Sequence, residues 1–138
     1  MEKFTHRILK NKVAEIGRIN LELEEFAAAE SIPLRETTEI CLAVEEILMN
    51  IISYAYQDEL EHKIEVKWWL EDENICLEIS DDGIEFDPLS LPKPDLEASV
   101  EERKIGGLGI YFVRQLMQEV KYRRENERNI LLLKKRIF

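Results

Sequence analysis

The run from about Arg35 to Tyr56 constrains the chain most, because it is apolar around most of a helix and yet interrupted by two polar side chains. Ile40, Val44, Ile47, Ile51 and Ala55 form one stripe at helical spacing, and Cys41, Leu48 and Ile52 form a second. A helix with so little polar surface is expected in a core. Within it Glu46 and Asn50 are four residues apart, on one face and one turn from each other. Asn50 lies between Met49 and Ile51, where a buried amide needs a hydrogen-bond or metal partner. A polar stripe facing solvent is the plainer explanation. Two further signals, Asp81-Asp82-Gly83 and Gly106-Gly107-Leu108-Gly109, turn the pair into one wall of a candidate nucleotide site.

The segments around this helix change period. Phe4, His6 and Ile8 alternate with Lys3, Thr5 and Arg7, which predicts a short strand over about residues 3–10. Val13, Ile16, Ile19, Leu23, Phe26 and Ala27 predict an amphipathic helix from Asn11, its available cap, to about Glu30. Ser31-Ile32-Pro33 ends it, since proline cannot continue the hydrogen-bond ladder. After the long helix, Ile64, Val66, Trp68 and Leu70 alternate with Glu65, Lys67, Trp69 and Glu71, the period of a half-buried strand. Trp69 is out of phase with the core, and cross-strand packing on the open face is its expected role rather than a partner-binding patch.

A polar hairpin connection, Glu71-Asp72-Glu73-Asn74, leads to Ile75, Leu77 and Ile79, whose phase Asp81 continues. A carboxylate in step with three core residues needs a donor. The segment from about Pro88 to Lys104 reads as a long loop with one helical turn, of a length that often serves as a lid. Ile110, Val113, Leu116, Met117 and Val120 then mark a third helix that starts at the glycines. Two strands close the chain, around Glu119 to Glu125 and around Asn129 to Ile137, joined by Asn126-Glu127-Arg128. Helices segregated from antiparallel hairpins predict a two-layer α+β sandwich.

At 138 residues the chain suits one domain over 1–138. A net charge of −10 opposes phosphate backbones and anionic membranes, so the expected partners are proteins and not nucleic acid or lipid. Cys41 and Cys76 lack CxxC or Cys/His metal spacing and read as buried free thiols; His6 and His62 receive no site role. No apolar run approaches ~18 residues, which leaves a cytoplasmic location as the expectation.

The chemistry of a nucleotide site is available. Asn50 offers a neutral oxygen, and Mg²⁺ takes as few as one or two protein ligands when phosphates and waters complete its shell. Glu46 is a candidate to accept a proton from an attacking hydroxyl or water, directly or through a bridging water. Gly106, Gly107 and Gly109 let backbone N–H groups approach an anion, with a helix N-terminus behind them. A tight turn entering a helix would use the same glycines. The chain has no GxxxxGK[ST] segment, and it lacks the kinase glycine loop with its HRD and DFG partners.

Taken together, these segments resemble the GHKL (Bergerat-fold) ATPases, and within them the small bacterial anti-sigma-factor serine-protein kinases of the RsbW type. Val44 to Tyr56 is similar to the family's N box, Asp81-Asp82-Gly83-Ile84-Glu85-Phe86-Asp87-Pro88 to its first glycine box, and Gly107-Leu108-Gly109-Ile110-Tyr111-Phe112-Val113 to its second. The resemblance implies a mixed, mostly antiparallel sheet with helices on one face. It also implies Glu46 as general base, Asn50 as Mg²⁺ ligand, Asp81 as acceptor for the adenine amino group and Gly83 as the point of close backbone approach. An ATP lid over about 88–106 would end in Gly106, Gly107, Leu108 and Gly109 at the phosphates, with Lys104 a candidate to steady their charge and Arg103 an ordinary solvated lid residue. Glu85 and Tyr54 depart from the common pattern, where many members carry Gly and His. The final strand, Asn129-Ile130-Leu131-Leu132-Leu133, has no Thr or Ser of the sort that often supports the aspartate.

The function implied by the resemblance is an ATP- and Mg²⁺-dependent serine/threonine protein kinase. It would phosphorylate a STAS-domain antagonist, sequester a sigma factor or another regulator in its other state, and form a homodimer. The alternative is a non-catalytic ATP-binding regulator whose lid sets partner affinity.

Overall fold

The computed structural model describes residues 4–90 and 107–138. Five strands and three α-helices follow in the order β1 (Phe4–Lys10), α1 (Ala14–Ala29), α2 (Leu34–Tyr54), β2 (Lys63–Glu71), β3 (Asn74–Asp81), α3 (Gly107–Leu116), β4 (Glu119–Glu125) and β5 (Arg128–Arg136). A short 3₁₀ turn occupies Pro88–Ser90. The expected lid otherwise falls on residues outside those described, as do Arg103, Lys104 and Gly106.

The strands form one sheet in the order β1-β2-β3-β5-β4. Every described pairing is antiparallel, so the expected mixed sheet is corrected to a wholly antiparallel one among the described residues. Two rows of cross-strand neighbours carry the core: Val66, Ile79, Leu131 and Tyr122 in one, Trp68, Leu77, Leu133 and Val120 in the other. Their buried members join Ile16, Ile19 and Leu23 of α1 and Ile40, Val44, Ile47 and Leu48 of α2 in a single cluster. The helices therefore cover one face of the sheet, and α2 lies at its centre because it is apolar on most sides.

Local chemistry explains the joints. After α1 the chain turns through Ser31 at φ 59°, with the Ile32 N–H donating to the Ala27 carbonyl, and Pro33 then starts α2. The β4–β5 hairpin has a two-residue turn, Asn126 and Glu127, both at positive φ. Such a turn matches the twist of the flanking strands. Asn11 is not the cap of α1: Val13 holds that position without a side-chain cap bond. Instead Asn11 Oδ1 accepts from the His62 N–H at 2.8 Å, which ties the end of β1 to the approach of β2. Trp69 pairs with Phe4 across the strands, ring centroids 6.1 Å apart, as expected for the open face.

Candidate functional site

A cleft of about 170 Å³, open in part to solvent, lies between the C-terminal half of α2, the ends of β3 and β5, and the start of α3. Asn50 and Asp81 line it at opposite ends, among apolar walls that include Ile47, Ile79, Ile110 and Leu131.

Asp81 anchors one end. It is only 4% exposed, since it continues the inward phase of Ile75, Leu77 and Ile79. Its Oδ1 accepts the Gly83 N–H at 2.8 Å and the Asn129 Nδ2 amide at 3.0 Å. Among the described residues Oδ2 has no hydrogen bond. Burial pushes the Asp81 carboxyl above its ordinary value, while the bonds from Asn129 and Gly83 and the nearby Arg128 oppose that shift.

The support of Asp81 comes from a residue that the hydroxyl pattern did not point to. Asn129 stands directly across from Asp81 on β5, and Arg124 directly across from Asn129 on β4. Asn129 Nδ2 also donates to the Ile84 carbonyl at 2.7 Å, and its Oδ1 accepts from Phe86 N–H, Tyr122 O–H and Arg124 Nη1. Arg124 Nη1 donates in addition to the Gly83 carbonyl at 2.9 Å. With both ends of its amide engaged, Asn129 has one orientation, and the lack of Thr or Ser in β5 leaves no gap beside Asp81. The signal available in the sequence was phase. Arg124 continues Val120 and Tyr122 as Asp81 continues Ile79.

Gly83 is held close to α2. A Cβ there would lie 2.5 Å from the Ala55 carbonyl oxygen and 2.6 Å from the Ala55 Cβ. The Ile84 N–H donates to the same carbonyl at 2.9 Å, so the turn after Asp81 is fastened to the end of α2. Behind it Tyr56 stacks on His62 at 4.0 Å, and His62 reaches Asp58 at 2.7 Å and Asp82 at 3.4 Å. The Asp58 carboxylate raises the His62 pKa, and burial raises that of Tyr56.

Glu46 and Asn50 form the other end, together with α3. A Cβ on Gly109 would collide with Glu46 Oε2 and lie 3.9 Å from Asn50 Nδ2. Glu46 and Gly109, distant in sequence, thus meet at one point. Gly107 and Leu108 begin α3 beside it. Asn50 Nδ2 is buried and has no hydrogen-bond partner among the described residues. A half-turn of the amide would present the oxygen in the same place, which is the donor that a hard cation takes.

No cluster of three or more His, Cys, Asp or Glu side chains able to hold a metal occurs among the described residues. A single orphaned amide beside a carboxylate fits Mg²⁺ brought in with phosphates, for which few protein ligands suffice. Both cysteines are free, and burial pushes each thiol up to about 11, which makes them poor nucleophiles.

Comparison with known proteins follows the same outline. The family model described as "Histidine kinase-like ATPase domain" matches residues 9–135. The chain is 26% identical over 116 residues to the "Serine-protein kinase RsbW" of Listeria monocytogenes, covering 81% of this chain and 73% of that one. It is 28% identical over 111 residues to the "Serine/threonine-protein kinase BtrW" of Bordetella bronchiseptica, covering 80% and 78%. In structure it is similar to the RsbU and RsbW domains of Rv1364c from Mycobacterium tuberculosis, with a TM-score of 0.67 at 14% identity. That match covers 98% of this chain and spans only 32% of the other, and at such identity it speaks for the fold alone.

Proposed function

Because the chain belongs to the histidine kinase-like ATPase domain family, we propose that it is an ATP-dependent protein-serine/threonine kinase of the anti-sigma-factor type, 1–138 forming a single ATPase domain. The observation that carries this reading is the convergence of Glu46, Asn50 and Gly109 at one end of a cleft whose other end holds Asp81. The names of the relatives supply the reaction class, protein-serine or serine/threonine phosphorylation.

In this reading Asp81, held in place by Asn129 and the Gly83 N–H, accepts a hydrogen bond from the adenine amino group. Gly83 leaves the base room to approach the backbone. The apolar walls exclude water from the base, and the N-terminal end of α3, with Gly107, Leu108 and Gly109, offers backbone N–H groups to the phosphates. Asn50 would hold Mg²⁺, whose charge offsets that of the phosphates. Lys104 and Gly106 are assigned to the same phosphates by their place in the motif. Glu46 takes the proton from a serine or threonine hydroxyl of the protein substrate as that oxygen bonds to the γ-phosphorus and the bond to ADP breaks.

The substrate we assign is a STAS-domain antagonist, with a sigma factor or another regulator as the alternate partner and a homodimer as the assembly. No described helix is long and apolar enough to cross a membrane, and a cytoplasmic site of action is part of the proposal. The test is incubation with Mg²⁺, γ-labelled ATP and a panel of STAS proteins. Label on a serine or threonine of one of them is the expected result. ATP binding without transfer to any protein would favour the non-catalytic regulator, and absence of ATP binding would defeat both readings.

A further inference from the structure

Lys135 is only 4% exposed, on a strand where Leu131 and Leu133 set the inward phase. A buried lysine needs partners, and this one has two on different helices. Its Nζ donates to the carbonyl of Leu116, the last residue of α3, at 2.7 Å, and meets Glu39 Oε2 on α2 at 2.6 Å. The ammonium therefore faces both a carboxylate and the negative end of a helix. Alongside it, the Gln118 N–H donates to the Lys134 carbonyl at 3.0 Å.

The spacing along the two helices matches. Glu39 to Glu46 on α2, and Gly109 to Leu116 on α3, are each two turns, about 10 Å. Since Gly109 packs on Glu46 while Leu116 and Glu39 share the Lys135 ammonium, the helices run antiparallel. One end of the pair is fixed by the ion pair of the buried Lys135 with the half-buried Glu39; the other forms the candidate phosphate end of the cleft.

We propose that Lys135 is a positioning residue, which clamps the C-terminus of α3 to Glu39 of α2 and so sets where Gly107 and Gly109 stand against Glu46 and Asn50. The proposal rests on the nucleotide reading above and refines it. Asp81 is held separately by Asn129 and the Gly83 turn, so the clamp acts on the phosphates and not on the base. A lysine that merely stabilised the fold would not distinguish the two.

The test uses Lys135→Met and the double variant Glu39→Met with Lys135→Met, titrated with ATP and with adenosine in Mg²⁺, folding being checked by circular dichroism and thermal melting. The double variant leaves no buried charge unpaired, since Arg35, the other partner of Glu39, is exposed, and apolar replacement of a whole ion pair is often tolerated, so it keeps the test open should the single variant unfold. Expected is a loss of about tenfold in ATP affinity with less than about a twofold change for adenosine, tenfold being 1.4 kcal/mol. Equal losses for both ligands, or unchanged ATP affinity in a folded variant, would overturn the clamp. Failure of the wild-type protein to bind either ligand would instead defeat the nucleotide reading, and the clamp with it.

Discussion

The two ends of the cleft are built on opposite principles. At the Asp81 end every polar atom of the Asn129 amide is engaged, and one register row across β3, β5 and β4 fixes the geometry. At the Glu46 end a buried amide nitrogen has no partner among the described residues, and a glycine leaves room beside a carboxylate. Unsatisfied buried groups cost stability, and a bound ligand is one means of satisfying them. In the proposed reading the first end is preset to read one thing, a base edge, and the second waits for charge that arrives with the ligand. Binding and transfer should therefore be separable by mutation.

The largest expected effect breaks only the second end. Glu46→Gln is predicted to lower phosphoryl transfer to the protein substrate by roughly 10²-fold or more, the usual contribution of a general base, with ATP affinity retained. Filter-binding and transfer assays on one preparation check it, and unaltered transfer would remove Glu46 from its role. Asp81→Asn attacks the first end. Its amide would point a donor at the Gly83 and Asn129 donors or at the base, and loss of a hydrogen bond to a charged group predicts a drop of about 10- to 100-fold in ATP affinity.

The glycines sharpen the contrast. Gly83→Ala drives a Cβ into the Ala55 carbonyl, part of the backbone, and should cost about 1–3 kcal/mol of stability, visible in urea unfolding. Gly109→Ala meets only the end of the Glu46 side chain. It should leave the unfolding midpoint nearly unchanged while transfer falls, and an equally destabilised protein would show that the second end is as rigid as the first.

The smallest effect is on pH. Burial raises the pKa of Asp81, and the ionised form is the stronger acceptor for the base. Adenosine affinity should fall as the solution is acidified through a value above that of an ordinary aspartate. Stability has the reverse sign for this group: its contribution is complete below the ordinary aspartate value and is lost as pH rises through the raised one. For Glu39, whose pKa is lowered chiefly by the hydrogen bond from Lys135, the contribution is present above the ordinary glutamate value and lost on acidification through the lowered one.

Much of this architecture is legible in the sequence because it rests on periodicity. The helical stripes of α1 and α2, the alternation of β2 and β3, and the inward phase of Asp81 all follow from side-chain direction alone. What sequence could not supply was register. Reading Asn126-Glu127-Arg128 as the connection makes the turn one residue too long, and a one-residue slip turns neighbours to other faces. The observed two-residue turn sets Asn129 against Arg124 and, through β5, against Asp81. Seeking a hydroxyl in that strand also hid an amide that makes the same donation. Asn11 misled for a related reason: a good capping residue was drawn into a long-range bond with His62, which no local pattern reveals. The roles of Lys104 and Gly106 rest on motif position, because both lie outside the described residues.

The central claim is that the preset end reads adenine. The most direct measurement is calorimetric titration of the wild-type protein with ATP and with GTP in Mg²⁺. Guanine presents a carbonyl where adenine presents its amino group, so Asp81 would face an acceptor. The account predicts ATP binding with GTP weaker by about tenfold or more, as when a buried polar group loses its partner; equal affinity for the two nucleotides would contradict it.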